Sequence, residues 1–239
     1  GEIDLTVTDT VMGADVLITT EKSLTPQLRM ELATLANHHR LSRLVWNDEP
    51  VVMINPPAQD FSGTKVTPPP GSFLQATQHG QDALWEAVDE ITAGARKVVD
   101  LFSGCGTFTL PLAKRAEVHA VESESVMLDA LDLGWRGGHE LRKVTTEARD
   151  LFRRPLEADE FRLYDAAIID PPRAGAEAQI STLAASEVNT IAMVSCNPMT
   201  FGRDAAILIE AGFVMDWIQV VDQFRWSPHV EIVAPFTRK

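Results

Sequence analysis

From Gly71 onward, short apolar runs alternate with helical segments, and that alternation admits few folds. Parallel strands need a crossover of a dozen or more residues between them, normally a helix, and helices so placed cover both faces of the sheet. Such strands therefore read as runs rich in Val, Ile, Leu and Ala, as at 97–102, 117–122, 164–170 and 191–196, and a more polar strand is expected at 143–148. After a helix ending near Gly212, two strands at 213–221 and 230–236 follow with no helical segment between them. The expected fold class is α/β, a Rossmann-like parallel sheet ending in an antiparallel hairpin.

The first 70 residues form a separate small α/β pattern. Residues 2–8 alternate polar and apolar, and 14–18 is a second strand. A helix is expected to start at Thr25, whose hydroxyl can cap, with Pro26 in the first turn and Leu28, Leu32, Leu35 and Ala36 on one apolar side. Strands at 44–46 and 51–54 flank the turn-like 47–50. Three successive prolines, Pro68 to Pro70, then interrupt any hydrogen-bonded ladder, which sets the expected domains at 1–70 and 71–239.

No apolar run approaches the roughly 18 residues of a membrane span, and the first residues lack the basic and apolar regions of a signal peptide. A cytoplasmic protein without membrane partners is expected. Two cysteines, Cys105 and Cys196, are too few for a disulfide framework or a four-thiolate metal site, and no metal is expected. The 21 basic and 34 acidic residues give a formal charge of −13, which argues against a chain that coats itself on phosphate backbones.

Residues 98–108 read as a strand, a tight turn carrying Gly104 and Gly106, and a helix. Glycine lets the backbone approach a ligand there, and the next strand ends in Glu122, whose carboxylate can accept from both hydroxyls of a ribose. The third glycine of the dinucleotide fingerprint is missing. Asp100 suits the cationic amino acid end of S-adenosylmethionine, whereas it would repel a pyrophosphate. Asp150, after the 143–148 strand, is a candidate contact to adenine. Phe73 offers a stacking face and Gln75 a paired donor and acceptor for a planar base, although Phe73 can equally pack at a domain junction and Gln75 can cap the helix beginning near Thr77.

Asp170-Pro171-Pro172-Arg173-Ala174-Gly175 places an acid at the carboxyl end of a buried strand, the edge where open parallel sheets bind ligands. Ser195-Cys196-Asn197-Pro198 adds a thiol. Carbon 5 of uracil is a poor nucleophile, and thiolate attack at carbon 6 activates it, so a cysteine has a chemical use here. The helix expected from Met199 would favour the thiolate through its free amides. Glu231 is the candidate base for the carbon 5 proton, with His229 beside it.

These motifs, together with Phe73-Leu74-Gln75, Asp100 to Phe108 and His229-Val230-Glu231, closely resemble those of RNA uracil-5-methyltransferases acting on ribosomal and transfer RNA. The resemblance is strong over 71–239 and weaker before it. It implies a class I S-adenosylmethionine-dependent methyltransferase fold at 71–239 and an RNA substrate, with residues 1–70 as an RNA-contacting subdomain. Cys196 would be the nucleophile, Glu231 the base and Asp170 a further catalytic group. Gln75, Asp100, Phe102, Gly104, Gly106, Thr107, Phe108, Glu122, Asp150 and Asp170 would hold the donor, and Phe73, Gln75, Asp170, Arg173 and His229 the target base. Family members usually carry an N-terminal oligonucleotide-binding barrel and often iron-sulfur cysteines, neither of which is in this sequence; a further module is expected to help grip RNA, and a monomer is expected. Thr77 replaces a more usual asparagine. Two alternatives are an amino-group methyltransferase using the Asp-Pro-Pro loop and a non-catalytic donor-binding or RNA-interaction domain.

Overall fold

The computed structural model describes residues 2–224 and 226–238. The chain divides into two compact units, Gly1–Phe73 and Leu74–Lys239.

In the first unit β1 (Ile3–Thr8), β2 (Asp15–Thr20), α1 (Pro26–His38), β3 (Arg43–Trp46) and β4 (Glu49–Met53) build a four-stranded sheet in the order β1-β2-β3-β4. The parallel β2–β3 pair is bridged by α1. Thr25 caps that helix by accepting from the Leu28 amide, and Pro26 opens it, as the sequence predicts. Ala36 packs with Ile18, Leu44 and Trp46, flanked by Leu28 and Leu32. Leu35, expected in the same stripe, is 48% exposed. It lies three residues from Leu32, about 60° round the helix and away from Ala36, so the buried stripe passes it by. A hairpin of β5 (Gln59–Phe61) and β6 (Thr64–Val66) was not read from the sequence. Its two-residue turn, Ser62-Gly63, has positive φ at both positions (52° and 91°), the twist that suits tight hairpins.

In the second unit α2 (Gln78–Ile91), β7 (Lys97–Leu101), α3 (Thr109–Leu112), β8 (Glu117–Glu122), α4 (Ser125–Gly137) and β9 (Val144–Ala148) precede β10 (Ala166–Ile169), α5 (Glu177–Ala185), β11 (Thr190–Ser195), α6 (Pro198–Glu210), β12 (Gln219–Val221) and β13 (Glu231–Thr237). The seven strands are ordered β12-β13-β11-β10-β7-β8-β9. β13 runs antiparallel to both neighbours, and the strands from β11 to β9 are mutually parallel. This is the class I methyltransferase arrangement.

Strand alternation fills both faces. Val99, Leu101, Ala167, Ile169 and Met193 point to one core with Phe161, Ile180 and Leu208. Val98, Ala166, Ile168, Ala192 and Val194 point to the other with Leu84, Leu112 and Leu131.

The expected strand at 213–221 shrinks to β12 and an isolated bridge between Val214 and Thr237. From Val214 to Gln219 the chain advances five residues while β13 advances four, from Thr237 to Val233. One residue too many cannot keep a continuous ladder, so the pairing breaks between them.

Candidate active site

Leu101, Glu122, Ile169 and Ser195 end their parallel strands along one edge of the sheet. Because β13 runs the other way, its first residue reaches the same edge. The register pairs Ser195 with Ile232, which brings Glu231 level with Cys196. Asp170 follows β10 next door, after Ile169, whose register partner in β11 is Met193.

Glu231 opposes the ionisation of both Asp170 and Cys196, and Asp170 that of Cys196. Burial pushes the Glu231 carboxyl up to about 7, with a hydrogen bond from Gln223 acting the other way. Asp170 lies well above the usual carboxylate range through burial and the charges of Glu231 and Asp100. Cys196 is raised by burial and by Glu231 and Asp170, with Arg173 only partly offsetting them. The expected bias toward thiolate is therefore reversed. The first turn of α6 is capped by Asn197, which accepts from the Met199 amide at 3.1 Å, while burial first and the two neighbouring acids second favour the neutral thiol.

Two loops are laced together behind the thiol. Asn197 Nδ2 donates to the Arg173 carbonyl at 2.9 Å, and Thr200 Oγ1 reaches the same oxygen at 3.4 Å. The Arg173 guanidinium donates to His229 Nδ1 at 2.7 Å, linking the Asp-Pro-Pro loop to the start of β13. His229 is exposed, and Phe224 meets its ring edge-on at 6.3 Å.

At the glycine loop, Gly104 and Gly106 have φ of 55° and 100°. A Cβ on Gly106 would also lie 3.0 Å from Leu131 and 3.1 Å from Leu110, so conformation and space both select glycine. Phe102 takes φ 61° without that freedom, and its ring leans on Phe152 at 5.5 Å. Phe152 is half exposed beside it and was not singled out from the sequence. Glu122 Oε2 accepts from the Gly104 amide at 3.1 Å, and Oε1 accepts from the amides of Ser123 and Glu124 at 2.6 and 3.1 Å. Thr107 is partly buried, while Phe108 is 3% exposed and packs in the core, so only its backbone can serve a ligand. Cys105 is buried under the loop and pushed up to about 12 by burial.

Asp100 is fully buried and accepts from Thr109 Oγ1 at 2.5 Å. Burial raises it to about 7, Thr109 opposes this and the Glu122 charge adds to it. Its Oδ1 and the Ser103 hydroxyl have no partner among the described residues. Asp150 is engaged locally, accepting from the amides of Phe152 and Arg153 at 3.0 and 3.2 Å.

Phe73 closes the first unit and is 69% exposed. Gln75 does not cap α2; Thr77 does, accepting from the Gly80 amide at 3.0 Å. The shorter hydroxyl reaches the amide three residues on, which releases Gln75 to accept from Gln223 Nε2 at 2.6 Å. Gln223 was not found in the sequence, since nothing local marks a residue whose partners lie about 150 positions away.

Residues 67–239 match the model of the tRNA (uracil-5-)-methyltransferase family. The chain belongs to this family. An uncharacterised RNA methyltransferase of Rhizobium meliloti is 45% identical over 96% of the chain and 55% of its own length. The 23S rRNA (uracil(1939)-C(5))-methyltransferase RlmD of Dichelobacter nodosus is 34% identical over 99% of the chain and 57% of its own length. The chain thus spans little more than half of the curated relatives it matches. Among solved structures, the Pyrococcus abyssi tRNA (uracil-54, C5)-methyltransferase in complex with S-adenosyl-L-homocysteine shares the fold with a TM-score of 0.78, at 22% identity over 98% of the chain and 59% of that protein. A Synechocystis magnesium protoporphyrin IX methyltransferase aligns with a TM-score of 0.52 at 18% identity, over 68% of the chain and 82% of its own. No helix among the described residues is long and apolar enough to cross a membrane.

Proposed function

We propose that this chain carries the catalytic domain of an enzyme that methylates carbon 5 of a uracil in RNA, with S-adenosylmethionine as donor. The observation that carries the reading is the alignment of Cys196 with Glu231 across β11 and β13, beside Asp170. Methylation of an exocyclic amine needs no thiol and no second base; methylation of carbon 5 needs both.

The donor site fits the same edge. Glu122 at the end of β8 is placed for ribose hydroxyls, and the positive-φ glycine loop leaves backbone free to approach a ligand. Two buried polar atoms there, Asp100 Oδ1 and Ser103 Oγ, lack partners among the described residues and suit the charged amino acid end of the donor. Phe102, Thr107, the Phe108 backbone, Asp150 and Asp170 complete the assigned lining, with Gln75 shared between donor and base. S-adenosylmethionine supplies an electrophilic methyl group when bound.

Cys196, once deprotonated, bonds to carbon 6 of the ring, and the displaced π pair makes carbon 5 nucleophilic through an enolate. Asp170, which burial and neighbouring charges make hold its proton more tightly than an ordinary carboxyl does, can donate it to the carbonyl oxygen on which that charge collects. After carbon 5 has gained its methyl group, Glu231 removes the remaining proton there. The electron pair left behind re-forms the double bond and expels the Cys196 thiolate. Arg173 and His229 hold the base and its neighbours, the first unit, with Phe73 at its end, adds RNA contacts, and a further RNA-binding module of the full-length protein supplies phosphate contacts that a chain of charge −13 would lack.

The test is mass analysis of nucleosides after incubating the chain with S-adenosylmethionine and either ribosomal or transfer RNA. 5-Methyluridine is the expected product. N-methylated bases would transfer the assignment to an amino-group methyltransferase, and donor binding without any product would leave a non-catalytic domain.

A further inference from the structure

We infer that Gln223 is a positioning residue that ties Gln75 to Glu231 and fixes which end of the Gln75 amide is offered to a bound base. The inference rests on the proposed methylation for its purpose, but not for its geometry.

Gln223 lies in the connection from β12 to β13 and is 9% exposed. A carboxamide offers two N–H donors at one end and an acceptor at the other. Which end is which follows from Thr77: its backbone amide can only donate, and it faces Gln223 Oε1 at 3.4 Å. The Gln223 amino group must then point the other way, where it donates to Gln75 Oε1 at 2.6 Å. It also lies near enough to Glu231 to favour the ionised carboxylate.

The first turn of α2 is shaped around this side chain. A Cβ on Gly80 would fall 2.2 Å from Gln223 Oε1 and 2.9 Å from its Cδ, so the packing of Gln223 on that turn requires a glycine.

Two consequences follow. With its oxygen taken, Gln75 has its amino group left for a ligand, and two donors match the carbonyl oxygens of uracil rather than the amino group of cytosine. Glu231, whose Oε1 has no partner among the described residues, has in Gln223 a neighbour that favours its ionised form and leaves that oxygen to receive a proton. The other ionisable groups facing Glu231 are Asp170 after β10 and Cys196 after β11.

The arrangement can be tested in the full chain without relying on turnover. Carbon-13 labelling of glutamate side-chain carboxyls gives a titration for Glu231, assigned by the signal lost in Glu231→Gln. Gln223→Met removes the donor at similar volume, and Gly80→Ala displaces the same donor from the helix side while improving helix propensity. Both variants should move the Glu231 midpoint upward from about 7 by half a unit or more, with unfolding as cooperative as in the parent. In single turnover with a uridine-containing RNA, both should release 5-methyluridine severalfold more slowly at pH 7 and recover at pH 9. A midpoint unchanged in both variants overturns the inference. Absence of 5-methyluridine from the parent protein would instead count against the methylation itself, while the titration would still decide the role of Gln223.

Discussion

Glu122 Oε2 accepts from the amide of Gly104 at 3.1 Å, so the acid that ends β8 also braces the glycine loop after β7. Removing it does two things at once. Glu122→Ala is expected to weaken S-adenosylmethionine binding by roughly 2–3 kcal/mol, the ribose contacts and the loop anchor going together. Glu122→Gln, which retains an acceptor for the loop, should lose less. Calorimetric titration of both variants checks the order, and equal affinity in parent and Glu122→Ala would place the ribose elsewhere.

In the proposed reaction Cys196 and Glu231 act at different steps, and their variants should fail differently. Cys196→Ala should form no covalent RNA adduct. Glu231→Gln should accept the methyl group but retain the carbon 5 proton, so methylated RNA accumulates on the protein. Denaturing electrophoresis with a radiolabelled donor distinguishes them. Near-normal turnover in Cys196→Ala would remove it as nucleophile.

Sequence and structure agree where the signal is local. The cap at Thr25, the bounds of β8 and the parallel strands with their apolar runs were legible because a few adjacent residues determine each. The direction of the Cys196 shift was not, since it depends on Glu231 and Asp170, carried by other strands. The choice the sequence left open for Gln75, between capping α2 and contacting a ligand, was not decidable for a related reason: Gln75 is a plausible local acceptor, and the cap at Thr77 and the bond to Gln223 are what remove it from that role. The interrupted strand before β12 reads as continuous because a one-residue surplus shows only against its partner.

Buried acids make stability depend on pH in a direction opposite to that of salt-bridged ones. Asp100 has a folded value of about 7 against an ordinary value of 3.8, so between these the folded chain holds a proton that the unfolded chain has released. Stability is therefore full below about pH 4 for this group and declines as pH rises toward 7, by at most roughly 4 kcal/mol. Asp100→Asn removes the penalty and keeps an acceptor for Thr109. Its melting temperature should exceed the parent's by several degrees at pH 8, with the gap closing near pH 4. A constant gap across that range would refute the assignment.

In the first unit, Arg43 grips Asp15 through Nε at 2.8 Å and Nη2 at 2.6 Å, and Nη2 also donates to the Pro68 carbonyl at 2.9 Å, all of it buried. Breaking one side should cost far more than removing both. Arg43→Met is expected to destabilise by about 3–5 kcal/mol through the stranded carboxylate, and adding Asp15→Leu should recover part of it. Urea denaturation of the single and double variants measures the difference; additive losses would show that the pair is not coupled.

β13 enters the sheet between β11 and β12, both of which precede it in the chain, and among the described residues β12 pairs with no other strand. Cys196 follows a strand that can find its parallel neighbour β10 early, whereas Glu231 arrives only with this interior strand, whose entry also gives β12 its place. It is the last strand of the chain, so during synthesis it is also the last to become available. A nascent chain therefore exposes the cysteine without the acid beside it, and on the proposed mechanism chemical competence is gained in the same event that closes the sheet.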